Sequence, residues 1–78
     1  MSQAQKLLEA MSNNPLDWRI KQVHTVAKAF GLTVHSPGGS HHIVRHVNGA
    51  MLSVPAHRPI KPVYIRQLVR LVKDGRIT

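Results

Sequence analysis

Two glycine-containing turns divide the middle of the chain into three short strand-like segments. Pro37-Gly38-Gly39 separates residues 32–36 from residues 41–47, and Asn48-Gly49 separates the latter from residues 51–54. Asn-Gly between alternating segments is a strong hairpin signal, and short segments bounded by turn residues are typical of strands. The middle of the chain therefore predicts a three-stranded antiparallel meander.

Apolar residues at helical spacing flank this meander on both sides. Three sets of four residues each fall at positions i, i+3, i+4 and i+7 of a helix, so each set predicts an amphipathic helix. The sets are Ala4, Leu7, Leu8 and Met11; Val23, Val26, Ala27 and Phe30; and Ile65, Leu68, Val69 and Val72. Ser2, Asp17 and Pro62 are placed to begin the helices, and Asn13-Asn14-Pro15, Gly31 and Gly75 to end them, the last helix near Asp74.

The predicted element order is ααβββα. A meander needs cover on one face, and the helices supply it, so we expect an α+β two-layer sandwich with one sheet face open to solvent. The chain has 78 residues, which is the size of a single domain spanning 1–78. A chain this short has little room for a deep cofactor or small-molecule pocket, and we predict neither ligand.

The charge of the chain is strongly positive and points to an anionic partner. There are 11 Lys and Arg residues against 3 Asp and Glu, a formal net charge of +8. Such an excess is typical of domains that bind nucleic acid. With no cysteine, the sequence excludes a disulfide framework, a cysteine zinc site and a thiol nucleophile. Neither a signal peptide nor a membrane-spanning run is visible, so we expect a cytoplasmic protein without a membrane partner.

Cations recur along one face of the last predicted helix. Arg66, Arg70 and Lys73 fall at i, i+4 and i+7, away from the apolar set, and Arg58 and Lys61 precede them. Such a row can bind phosphates or can simply be a solvated helix face. Both interpretations stay open at the level of sequence.

Four histidines cluster near the predicted sheet: His35, His41, His42 and His46. No cysteine and no nearby carboxylate completes a ligand set, so we predict no metal site. Histidine titrates near neutral pH, and one at a strand start beside a glycine turn can move protons on a bound polyanion. His41 is our candidate for that role, although a strand-edge histidine satisfied by backbone is the ordinary alternative.

The hairpin register decides where His41 points. A two-residue Asn48-Gly49 turn pairs Arg45 with Leu52 and puts His41 on the face of Leu52. A three-residue loop with a glycine bulge pairs Val44 with Leu52 and puts His41, Ile43 and Arg45 on the opposite face. We favour the second register because it avoids burying Arg45.

Four segments, taken in order, resemble the HicA-type mRNA interferase toxins. They are Pro37-Gly38-Gly39-Ser40-His41-His42-Ile43, His46-Val47-Asn48-Gly49, Leu52-Ser53-Val54-Pro55 and Ile60-Lys61-Pro62-Val63-Tyr64-Ile65-Arg66. The resemblance covers about residues 23–75. It leaves residues 1–17 as an N-terminal helical extension to a HicA-like core at 18–78.

The resemblance implies a double-stranded-RNA-binding-domain-like fold, cleavage of mRNA by His41 without a metal, and a cognate HicB-type antitoxin that masks the site. Such an enzyme is a toxin that blocks translation and growth until it is neutralised.

The proposed chemistry assigns roles to further residues. Gly38 and Gly39 can let backbone amides approach phosphate, and Ser40 can orient the imidazole or the phosphate. Lys61, Arg45 and Arg66 are candidates for stabilising the phosphate charge. Together with Arg70 and Lys73 they are our RNA-binding candidates. The second proton-transfer group is left open among His42, His57 and Tyr64.

Two other functions stay open. One is a non-catalytic double-stranded-RNA-binding module, and the other is a protein-interaction domain whose basic face serves an acidic partner. Trp18 likewise has two interpretations, packing between the N-terminal helices or anchoring a partner.

Overall fold

The computed structural model describes residues 3–36, 39–56 and 59–77. Three helices and three strands follow in the predicted order: α1 (Gln3–Asn13), α2 (Ile20–Ala29), β1 (Thr33–His35), β2 (His41–Arg45), β3 (Met51–Pro55) and α3 (Pro62–Asp74). The strands form one antiparallel sheet in the order β1-β2-β3. The predicted α+β class and the ααβββα order are confirmed, and the arrangement is consistent with a double-stranded-RNA-binding-domain-like fold.

The β2–β3 hairpin has the register with the three-residue loop. Val44 pairs with Leu52, and Arg45 pairs with Met51. The His46 N–H donates to the Ala50 carbonyl at 2.8 Å, and Gly49 closes the loop with a φ of 96° and an N–H bond to the His46 carbonyl at 3.0 Å. Because successive side chains alternate between faces, this register turns His41, Ile43 and Arg45 away from buried Val44.

The core lies between the inner face of the sheet and the helices. Val44, Leu52 and Val54 supply the sheet side, and they are at most 4% exposed. The helices cover them with Leu8, Met11, Val23, Val26, Ala27, Ile65, Leu68, Val69 and Leu71. Helix α1 packs against α2 and α3, and its Leu8 and Met11 belong to the same core.

Helix α2 begins later than expected, and the prediction that Asp17 caps it is wrong. Its N-cap is Arg19, whose N–H donates to the side-chain Oε1 of Gln22 at 3.0 Å. Trp18 forms an isolated antiparallel bridge with Ile60, whose N–H reaches the Trp18 carbonyl at 2.8 Å. Because the bridge holds Trp18 extended, the helix can start only after it, and Asp17 takes a φ of 64° to turn the chain.

The end of α2 also differs from the prediction, since Phe30 is not in the core. The helix ends at Ala29, and Phe30 is the C-cap with 38% of its surface exposed. Gly31 then turns the chain with a φ of 81°, and Leu32 takes the core position with 5% exposure. The helical period stops placing residues on one face once the helix has ended.

Trp18 packs against the core rather than standing free. Its side chain is half-buried against the buried cluster, and its indole N–H donates to the Asn14 carbonyl at 2.7 Å. The bridge to Ile60 at the same residue ties the start of α2 to the loop that leads into α3.

The loop of the hairpin is tied to the end of α3. The Asn48 side-chain amide donates to the Gly75 carbonyl at 2.9 Å. Gly75 has a φ of 73°, and a Cβ there would lie 2.7 Å from the Asn48 side-chain nitrogen. Glycine is therefore required by both the turn and the contact.

Replacing Met11 with alanine tests whether α1 belongs to the cooperative core. Met11 is 0% exposed, and truncating a fully buried methionine costs about 2–5 kcal/mol. We expect the free energy of unfolding, measured by urea denaturation, to fall by that amount. Lys6→Ala, an exposed position on the same helix, is the control and should change it little. Unchanged stability of Met11→Ala would show that α1 is not docked in solution.

Candidate functional site

His41 is the first residue of β2 and lies exposed on the open face of the sheet. The register places it opposite Pro55 on β3. Gly39 precedes it with a φ of 98°, a left-handed conformation that glycine adopts without strain. The chain therefore turns into β2 at a glycine and presents the imidazole to solvent, where a polyanion can reach it.

Ser40 contacts the His41 ring and anchors the start of the strand. Its carbonyl accepts the Ala56 N–H at 2.7 Å, which joins the start of β2 to the end of β3. Its Oγ lies 3.4 Å from Nδ1 of His41, a long contact that orients the ring only weakly. When Nδ1–H donates to this oxygen, the lone pair of Nε2 is free to accept a proton.

The rest of the described open face carries the cation Arg45, the imidazole of His35 and the apolar side chains of Ile43 and Met51. Arg45 pairs with Thr33 on one side and Met51 on the other. A shallow hollow of about 240 Å³ lies among Thr33, His35, Ile43, Arg45 and Met51. Arg45 shares the face of His41 but stands four residues further along the strand, roughly 14 Å away at 3.4 Å per residue.

The basic row of α3 lies on the helix layer. Arg66, Arg70 and Lys73 are all exposed, while Ile65, Leu68 and Leu71 of the same helix are buried. Together with Met11, Ser12, Val69 and Asp74, the three cations line a groove of about 300 Å³. Arg66 and Arg70 also border a second hollow of about 230 Å³ beside Val63, Gln67 and Ile77.

The structure divides the sequence-predicted residues between two surfaces. His41, Ser40 and Arg45 lie on the sheet side, whereas the three cations of α3 lie on the side of the helices. Lys61 is exposed at the N-cap of α3, where the positive end of the helix dipole adds to its charge. Gly38, His57 and Arg58 lie outside the described residues.

Two of the candidates for the second proton transfer face away from the open sheet surface. His42 shares the inner face of β2 with Val44, and Tyr64 is half-buried against the core in the first turn of α3. His57 remains a candidate on the sequence alone.

Sequence reasoning missed the partner of His42, which is His24 on α2. Nε2 of His24 lies 2.9 Å from Nδ1 of His42, and the two half-buried rings meet edge to face with centroids 4.9 Å apart. The signal that could have found this pair is the register, since it places His42 inward beside Val44. An inward polar ring needs a hydrogen-bond partner, and α2 is one of the elements that cover the sheet.

Comparison with known proteins identifies the family. The family model described as "HicA toxin of bacterial toxin-antitoxin" matches residues 20–74, which is more than half of the chain. The chain belongs to the HicA toxin family. No curated protein and no solved structure matches it.

Membership makes this HicA chain the toxin of a toxin–antitoxin system, and a cognate antitoxin is therefore its partner. The match begins at the first residue of α2, so α1 lies outside it. Across the described ranges no helix is long and apolar enough to cross a membrane. The same ranges contain no cluster of three or more carboxylate, thiol or imidazole groups that could hold a metal ion.

Burial lowers the pKa of His24 below its ordinary value of 6.5, and the nearby charges of His42 and then Lys28 lower it further. A lowered histidine pKa means that the folded protein prefers the neutral ring. The unfolded chain then binds the proton more readily as the pH falls below 6.5.

We therefore expect the stability of this HicA chain to be full above about pH 6.5 and to decline as the pH falls through the lowered pKa of His24. Thermal unfolding of the wild type and of His24→Gln between pH 7.5 and 5 measures this, and the variant should lose less stability on acidification. His35→Gln is the control, since His35 is exposed on β1. Parallel pH profiles for the wild type and His24→Gln would contradict the assignment.

Proposed function

We propose that this HicA toxin is an mRNA interferase, an endoribonuclease that cleaves mRNA by acid–base catalysis with His41. The observation that carries the proposal is the position of His41, exposed at the start of β2 beside Ser40 in a chain of net charge +8 that belongs to a toxin family. RNA brings its own nucleophile, so a base, an acid and cations are enough for cleavage.

His41 supplies the base in this mechanism. The attacking oxygen, from the ribose 2′-hydroxyl or from water, gives its proton to Nε2 of His41 as it bonds to phosphorus. The bond from phosphorus to the leaving oxygen then breaks, and that oxygen takes a proton from an acid. A positioned histidine is worth roughly 10² to 10⁴ in rate in such a step.

Ser40 and Gly39 form the immediate surroundings of the base. The Ser40 Oγ lies 3.4 Å from Nδ1, where it can accept the Nδ1–H of the tautomer that leaves Nε2 free. Gly39 has open space where a Cβ would be, so its backbone can approach a phosphate closely. Gly38 keeps the same proposed role from the sequence.

The cations bind the RNA at a distance from the bond that breaks. Arg45 stands roughly 14 Å from His41 along β2, so it contacts a neighbouring nucleotide rather than the scissile phosphate. Arg66, Arg70 and Lys73 on the helix layer bind more remote phosphates, and Lys61 joins them at the start of α3. Contacts of this kind supply affinity without reading sequence.

The cognate antitoxin, which we propose to be of the HicB type, covers the open face of the sheet. Met51 is 50% exposed there and Ile43 is half-buried, with His35 and Arg45 beside them. An apolar centre with polar neighbours is typical of a protein interface. An antitoxin seated there masks His41, and we place both proteins in the cytoplasm with the mRNA.

A second candidate function is a non-catalytic RNA-binding module. One observation favours it: the basic groove of α3 lies on a different surface from His41, so RNA could bind in the groove without contacting His41. In that case His41 would have no effect on RNA.

Replacing His41 with alanine separates the two functions. We expect cleavage of a long unstructured RNA in EDTA to fall by about 10² to 10⁴, because the base is lost. RNA affinity, measured by filter binding, should change little. His35→Ala is the control on the same face and should retain cleavage. Equal cleavage by the wild type and His41→Ala would overturn the catalytic role, and binding without cleavage by the wild type would favour the module.

Replacing Arg70 with glutamine tests the groove. Because a phosphate contact releases counterions, we expect weaker binding to every RNA sequence and a plot of log affinity against log salt that is shallower by about 0.7 to 1. Lys6→Gln makes the same charge change on exposed α1 and is the control. An identical slope for both variants would mean that the groove does not bind RNA.

A further inference from the structure

We infer that the hydrogen bond between His24 and His42 positions His41, so that both rings are positioning residues for the cleavage proposed above. The inference rests on that proposed function for its catalytic readout. The bond joins α2 to β2 across 18 residues of sequence, and its nitrogens are 2.9 Å apart. His42 is the residue next to His41, and the two rings project to opposite faces of the strand.

The sheet holds the start of β2 from the β3 side, where the Ala56 N–H also donates to the Ser40 carbonyl at 2.7 Å, and the bond to His24 adds a hold from α2. The pairing of β1 with β2 runs from Thr33 opposite Arg45 to His35 opposite Ile43. His41 and His42 are paired with Pro55 and Val54 of β3. Within the described ranges, the first two residues of β2 thus have strand partners on the β3 side alone.

The contacts of His41 itself are too weak to hold its position. The ring is exposed, and the Ser40 Oγ stands 3.4 Å from Nδ1. Gly39 lies two residues before His41 and has a φ of 98°. Because glycine has no Cβ, the backbone that leads into β2 is less restricted there than at another residue. Fixing the His42 ring to a helix restricts the backbone that His41 shares with it, and therefore the direction in which the catalytic imidazole points.

The bond also requires a defined protonation state. One ring must donate its N–H to the bare nitrogen of the other, so at least one ring is neutral. Burial and the charges of His42 and Lys28 disfavour the charged form of His24 and so lower its pKa. Near neutral pH the His24 ring is therefore neutral, and the hydrogen bond to His42 can form. Two protonated rings would present donors to each other and repel.

A metal bridge is the competing account of two imidazole nitrogens that face each other. The described residues bring no third imidazole or carboxylate to this pair, and Lys28 adds positive charge beside it. Two ligands next to a cation make a poor site for a divalent metal. The direct hydrogen bond is therefore the arrangement that the contacts support.

The experiment compares His24→Leu, which keeps volume and removes the hydrogen bond, with His24→Gln, whose amide can still donate and accept. Cleavage of a long unstructured RNA is measured in EDTA. We expect His24→Leu to lower kcat by about 10- to 100-fold with KM nearly unchanged, since small misplacements of a catalytic group cost that much. His24→Gln should recover most of the loss, and Thr25→Ala, an exposed neighbour on α2, should behave as the wild type.

A double variant separates the hydrogen bond from two independent packing effects. When the pair acts as a unit, His24→Leu with His42→Leu should be no slower than either single change. Multiplying losses would overturn the proposal, as would equal kcat for His24→Leu and the wild type. An activity that EDTA abolishes and zinc restores would assign the pair to a metal and overturn it as well.

Amide hydrogen exchange at His42 and at its strand partner Val54 makes the test independent of cleavage. We expect His24→Leu to speed exchange at these two amides at least severalfold, relative to Leu52 in the centre of β3, while Thr25→Ala leaves them unchanged. If the wild type fails to cleave RNA but this result holds, the proposed function fails and the positioning contact stands. Unchanged exchange at both amides would overturn the contact whatever the activity.

Discussion

The pairing of Val44 with Leu52 is the constraint on which the rest of this structure depends. Side chains alternate along a strand, so one pairing decides the face of every residue in β2. It buries Val44 under the helices, turns His42 toward α2 and leaves His41 in solvent. A shift by one residue would exchange the two neighbouring histidines, and with them the catalytic and the positioning roles that we propose.

The same alternation explains how two adjacent histidines acquire different chemistry. His41 keeps an exposed ring whose neighbour is a hydroxyl at 3.4 Å, and such a ring can exchange protons with a substrate. Nδ1 of His42 lies 2.9 Å from Nε2 of His24, and both rings are half-buried. A ring in that setting is fixed in position and is not exposed to RNA. The difference arises from the pleat of one strand rather than from any difference in residue type.

The two-layer architecture separates the proposed cleavage site from most of the positive charge. The cations of α3 border grooves on the helix layer. On the open face of the sheet, Arg45 is the cation that the described part of β2 carries besides His41. An RNA that uses both surfaces must pass around an edge of the domain. Helix α1 contributes Met11 and Ser12 to the α3 groove although the family match begins after it, so the extension adds to this surface as well as to the core.

Much of the fold could be read from local patterns, because hydrophobic period and turn chemistry act over a few residues. The six elements and the stop at Gly75 follow from such signals, and the ordered motifs around His41 pointed to the HicA family before the structure did. The hairpin register was favoured on burial instead, because the three-residue loop keeps Arg45 off the face of Leu52. The start of α2 did not follow, because Trp18 is held extended by a bridge to Ile60, a residue 42 positions away.

What the sequence determined by itself is therefore the set of elements, the positive charge and the candidate base. What only the tertiary structure decided is which side chains meet across elements. His24 and His42 are on different elements and no local pattern joins them, and the cations of α3 share a groove with α1 only after the helices pack. Contacts between distant segments depend on the relative placement of whole helices and strands, which a local period does not encode.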